Sequence, residues 1–217
     1  ELATRAGETD MNSAKGAIDN FSDDEWKKYD IRYMLEIYDV TEGFKDLINP
    51  VKPRIVQTYD EYQATKFELR LIPDRKYKFV VWADFVAEDT NTDLNYNTTD
   101  LKNITRIEKE NSNGLTVAMD ESMDAYFIQK DILVTKGYTD SFTLKRPFGK
   151  IRVIATDIDE VNIGTTATTV DIKFYNHHIF VALNALNGKA HTAVEEVNYS
   201  YTISKDEIEG ADYLSGG

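Results

Sequence analysis

Residues 66–85, KFELRLIPDRKYKFVVWADF, constrain the fold more than any other stretch, because apolar side chains recur at every second position on both sides of a Pro-Asp break. A period of two belongs to a strand, whose side chains alternate between faces. Phe67, Leu69 and Leu71 share one face before Pro73 and Asp74, and Tyr77, Phe79 and Val81 share one face after them. Proline fixes φ and aspartate bonds to its own backbone, so the pattern predicts a β-hairpin with six apolar residues facing inward together. YDIRYMLEIYDV at 29–40 alternates in the same way, setting Ile31, Tyr33, Leu35 and Ile37 against Arg32, Met34 and Glu36, as a half-buried strand does. NPVKP at 49–53 breaks that run.

Further strand signals follow at AYFIQKDILV (125–134), TTVDIKFY (168–175), HIFVALNAL (178–186) and VNYSYTI (197–203). FTLKRPFGKIRVIATD (142–157) restarts the alternation through Phe142, Leu144, Ile151, Val153 and Ala155, either side of a break at Pro147 and Gly149. Residues 1–26 are polar and unperiodic and read as an arm, while TTDLKNITRIEKE (98–110) reads as a short helix capped by Thr98 or Thr99. Short strands separated by turn signals, with helix only in a connection, predict an all-β chain of sandwich type.

Composition narrows the partners. The formal charge is -13, with 38 Asp plus Glu against 25 Lys plus Arg, and such a chain repels phosphate backbones, which argues against nucleic acid. With no cysteine, disulfides, thiolate metal sites and cysteine nucleophiles are excluded together. No apolar run approaches the roughly 18 residues of a membrane-spanning helix, and residues 1–26 lack the basic and apolar regions of a signal peptide.

Candidate sites are few. DTNTDLNYNTTD places Asp89, Asn91, Asp93, Asn95 and Asp100 at positions 1, 3, 5, 7 and 12 of a calcium-loop pattern, where alternate oxygen ligands suit a hard cation. Leu94 stands where the turn wants glycine, and Asp100 where a bidentate glutamate belongs, so a solvated loop is the favoured reading. His177 and His178 point to opposite faces of a strand and His191 is distant, which disfavours zinc. Asp157 and Asp159 share a strand face as a carboxylate pair would, yet nothing around them marks a cleft. Trp82 has apolar neighbours and reads as core, not as a sugar platform. The sequons at Asn20, Asn97, Asn103 and Asn198 are no more than an Asn/Thr-rich chain gives by chance. The expectation is no catalytic residue, no cofactor and no resident metal, hence a protein that is not an enzyme.

The order and spacing of YDIRYMLEIYDV, FELRLIPDRKYKFVVWADFV, YNTTDLKNI, DAYFIQKDILV and FTLKRPFGKIRVIATDI resemble the fimbrillin family, the FimA-type pilins and related surface proteins of Bacteroidetes. The resemblance runs from about Tyr29 to Tyr201. It implies two tandem transthyretin-like β-sandwich domains, with the arm at 1–26, the first domain at 27–140 and the second at 141–217. About four strands in 141–217 fall short of the usual seven or so, so the second domain is expected to be incomplete in this chain. The resemblance also implies a cell-surface or outer-membrane location, reached by a lipoprotein signal and held by a lipid anchor that this chain does not carry.

Such relatives carry a strand ahead of a TRAG-like segment, whereas only ELA precedes Thr4 and Arg5 here, which marks Arg5 as a processing site. Two functions follow as expectations. One is a structural or adhesive fimbrial (pilus) subunit whose partners are other pilin subunits joined by β-strand addition. The other is a monomeric surface lipoprotein that binds a glycan or a host protein.

Overall fold

The computed structural model of the chain describes residues 27–60, 64–110, 116–117, 121–149, 169–174, 179–194 and 197–202. The described residues are all-β: eleven strands and one three-residue 3-10 turn at Glu121–Met123. The strands are β1 (Tyr29–Asp39), β2 (Ile55–Tyr59), β3 (Arg75–Ala87), β4 (Tyr96–Asn97), β5 (Ile104–Arg106), β6 (Thr116–Val117), β7 (Ala125–Val134), β8 (Thr169–Phe174), β9 (Ile179–Asn184), β10 (Lys189–Val194) and β11 (Val197–Thr202). The short helix expected at 98–110 is absent: that stretch makes a turn and then β5, with Leu101 and Ile104 drawn into the core. Burial of two apolar residues outweighs the modest preference of a capped polar segment for helix.

The chain divides into two compact units. Described residues 27–107, 121–149 and 180–192 form the first, which holds a four-stranded sheet of order β2-β1-β3-β7 and another of order β10-β9-β5-β4. Described residues 108–110, 116–117, 169–179 and 193–202 form the second, with the three-stranded sheet β6-β11-β8. There β11 runs antiparallel to β8, from Val197↔Phe174 to Thr202↔Thr169, and parallel to β6.

The long strands β1 and β3 form the spine of the first unit, in unbroken register from Tyr29↔Ala87 to Asp39↔Tyr77. On its other side β3 pairs with β7, from Arg75↔Val134 to Asp84↔Ala125. The hairpin expected at 66–85 therefore does not form: β3 takes both its partners elsewhere, and residues 64–72 run extended outside any sheet. A central strand gains two hydrogen-bonded neighbours where a hairpin arm gains one, and VVWADFV is apolar enough to be buried on both faces. Asp74 supplies the turn into β3, at a left-handed φ of 60° that aspartate tolerates, and its amide donates to the Val134 carbonyl at 2.7 Å.

β1 likewise departs from the half-buried reading. Arg32, Met34 and Glu36 are as buried as Ile31, Tyr33 and Leu35, so both faces of this strand are covered. Met34, Tyr38, Val80, Trp82 and Ala125 form the inner face and pack against Tyr96, Ile104 and Leu183 of the facing sheet, with Leu101, Ala185 and Leu186. Trp82 is fully buried there and meets Tyr96 edge-on at 5.4 Å, as a core residue.

Candidate functional site

The outer face of the sheet β2-β1-β3-β7 is closed differently. Its apolar residues, among them Tyr33, Leu35, Phe79, Val81 and Ile132, are covered by two extended segments, 64–72 and 141–145. In each segment exposure alternates residue by residue: Phe67, Leu69 and Leu71 point down from one, Phe142 and Leu144 from the other. The six residues expected to share a hairpin face do meet in one cluster, but Phe67, Leu69 and Leu71 press on Tyr77, Phe79 and Val81 from a layer above.

What the two segments lack is a ladder. Among the described residues no backbone hydrogen bond joins one to the other, and only the Phe127–Lys145 bridge, at 2.9 and 3.0 Å, ties either to the sheet by main chain. The rest are held by side chains. The Gln57 amide donates to the Lys66 carbonyl at 3.4 Å, the Tyr77 hydroxyl to the Ile72 carbonyl at 3.3 Å, and Phe142 meets Phe79 edge-on at 5.9 Å. Between the segments lies an open groove of about 770 Å³, floored by Leu35, Phe79, Val81 and Ile132 and walled by Leu69 and Leu71 on one side and Phe142 and Leu144 on the other. Extended walls with unpaired N–H and C=O groups over an apolar floor are what an added strand requires: main chain for affinity and pockets for alternate side chains.

The charges along the walls are unevenly spent. Lys66 pairs with Glu68, and Asp140 accepts from Lys130 at 2.7 Å and Tyr138 at 2.9 Å. Those two hydrogen bonds, Lys130 first, hold the Asp140 carboxyl below its ordinary range. Arg70 and Lys136, which also line the groove, are exposed and carry no ion pair among the described residues.

Two of the five residues of the calcium-loop pattern, Asn91 and Asp93, meet a side chain of the protein itself. Arg32 donates to both oxygens of Asp84, at 2.9 and 2.7 Å, and to the Asn91 carbonyl at 2.7 Å, and it pairs with Asp93 at 2.9 Å. Asp93 also accepts from the Thr98 amide at 2.8 Å and hydroxyl at 2.6 Å. Burial pushes the Asp93 carboxyl up, but the Thr98 hydrogen bonds and the Arg32 charge outweigh it and hold the pKa down. Burial likewise works against the Arg32 charge, and Asp84 and Asp93 more than offset it, so the guanidinium is held more firmly protonated than usual.

The other three positions make bonds elsewhere. Asn95 donates to the Ser122 carbonyl at 2.8 Å, Asp100 accepts from the Lys102 amide at 2.8 Å, and the Asp89 amide donates to Asp30 at 2.9 Å. Among the described residues no cluster of three or more His, Cys, Asp or Glu is arranged to hold a metal. His191 lies in β10, its Nδ1 beside the Thr192 hydroxyl at 3.1 Å. Arg5, Asn20, Asp157, Asp159, His177 and His178 lie outside the described residues. Asn97 and Asn103 are exposed, and Asn198 falls within β11.

The groove, absent from the expectations as a located site, could be found in the sequence only as two alternating stretches, 64–72 and 141–145, that resemble strands and give no sign of being left without partners. Fold and site together define an all-β protein with an apolar surface groove between two extended segments. The chain belongs to a family of unknown function, DUF6562, whose family model matches residues 1–214. Searches of the curated proteins and of the solved structures each returned no match. Among the described residues no helix is long and apolar enough to cross a membrane.

Proposed function

We propose that this chain is a structural or adhesive subunit of fimbrial type, not an enzyme, that joins copies of itself or related subunits at the cell surface by accepting a partner strand. The observation that carries this reading is the groove between residues 64–72 and 141–145, whose apolar lining lies beside main chain that, among the described residues, forms almost no ladder. The tandem transthyretin-like arrangement, the lipid anchor and processing at Arg5 belong to the same proposal and rest on the resemblance to fimbrillins.

The absence of cysteine makes a direct test simple. Thr143, exposed on the groove wall, and Glu42, exposed and outside the groove lining, are each replaced by Cys and labelled with a bulky polyethylene glycol maleimide. Light scattering and negative-stain electron microscopy then follow assembly with rising concentration, before and after an arginine-specific protease. Unlabelled protein and labelled Glu42→Cys should form oligomers or filaments, whereas labelled Thr143→Cys should stay monomeric. A monomer under every condition, or equal assembly by both labelled variants, overturns the proposal and turns attention to a monomeric binding protein.

A further inference from the structure

We infer that the groove selects its strand by charge, taking an extended segment with apolar side chains at alternate positions and a cluster of carboxylates at one end. This rests on the strand-addition reading and adds to it the chemistry of the partner. The two wall cations that carry no ion pair among the described residues lie at the same end of the groove. Arg70 sits beside Leu71, which packs in one cluster with Val134, and Lys136 follows Val134 by two residues. The hydrogen bond from the Asp74 amide to the Val134 carbonyl ties the chain after Arg70 to the chain before Lys136.

Elsewhere along the walls charge is cancelled locally, Lys66 by Glu68 and Asp140 by Lys130. The groove is therefore apolar along its floor, and one mouth carries Arg70 and Lys136 against the single carboxylate of Asp74 in the turn between them, a net positive charge in a molecule whose formal net charge is -13. A local positive field on an acidic protein steers a carboxylate-bearing segment to that mouth and repels a cationic one. An apolar floor sets which side chains point down, and the charged mouth sets which end of the strand lies where, so register and direction are fixed together.

Four synthetic peptides test this on the whole chain by calorimetry and fluorescence anisotropy. They share a core of alternating valine and threonine; one ends in two aspartates, one in two lysines and one in two serines, and the fourth is the aspartate peptide with alternate backbone nitrogens methylated. The aspartate peptide should bind about tenfold more tightly than the serine peptide at low salt, as two exposed ion pairs allow. The advantage should vanish near 1 M salt, where the screening length is about 3 Å. In the double variant Arg70→Glu, Lys136→Glu the preference should pass to the lysine peptide.

If aspartate and serine peptides bind equally and the double variant changes nothing, charge selection is wrong while strand addition stands. If the methylated peptide binds as well as its parent, or no peptide binds, strand pairing in the groove fails as well.

Discussion

The two faces of the sheet β2-β1-β3-β7 bury comparable residues by different means. The inner face meets a second hydrogen-bonded sheet, and its charged residues Arg32, Glu36 and Asp84 are all paired, Glu36 by Arg54 at 2.7 Å and by the Tyr38 hydroxyl at 2.5 Å. Burial first, and then Glu36, push the Tyr38 hydroxyl well above the ordinary range of a tyrosine. The outer face is lined by apolar residues of β1, β3 and β7, and is roofed by segments that contribute side chains but almost no main-chain bonds. The contrast teaches that burial and main-chain pairing are separable: one face meets a hydrogen-bonded sheet, whereas the other is buried under segments that form almost no ladder among the described residues.

The largest expected effect comes from the inner face. Arg32→Ala leaves Asp84, about 1% exposed, without its partner, and should cost about 3 to 5 kcal/mol in urea unfolding, as breaking a buried ion pair does. A loss under about 1 kcal/mol would show that water reaches this pair and that the inner face is not closed. Next comes a comparison of two leucines. Leu183→Ala, at a buried position in β9, should cost about 2 to 5 kcal/mol, whereas Leu69→Ala, half-buried in the roof, should cost about 1 kcal/mol. Equal losses would mean the roof is packed as tightly as the sheet interface.

The smallest effect is electrostatic. The Asp93 carboxyl has a depressed pKa in the folded chain, so its contribution is complete above the unfolded value near 3.9 and is lost as pH falls through the folded value. Asp93→Asn should therefore cost about 1 kcal/mol at pH 7, and the gap from the parent chain should close progressively below about pH 4. A gap that persists to pH 2 would assign the effect to packing.

Much of the fold could be read from periodicity. Strands at 29–39, 125–134, 169–174, 179–184 and 197–202 stand where alternation put them. What alternation could not convey is which neighbour each strand takes. FELRL and KFVVW carry the same period on either side of a good turn, yet the first is left unpaired because β1 and β7 outcompete it for β3. Reading Arg32 and Glu36 as a solvent face failed for a related reason: their partners, Asp84 and Arg54, are remote in sequence, so nothing local shows that their charges are satisfied indoors. β10 escaped notice although Asn187 and Gly188, the latter at a φ of 67°, make the tight turn that leads into it from β9. Of the calcium-loop pattern only the Asn91 carbonyl and the Asp93 carboxylate converge on a cation, and that cation is a guanidinium.

The pairing of β5 with β9, through Ile104↔Leu183, bears on the order in which the chain becomes protein. β1, β3 and β7 can meet once residue 134 has left the ribosome, but the sheet that shields Met34 and Trp82 must wait for Leu183, with chain of the other unit synthesised in between. Pairings that distant are slow, because loop closure comes before any contact rewards it. During that interval the nascent chain shows an apolar sheet face beside unpaired strand edges, the surface that holdase chaperones bind and that aggregates when none is at hand.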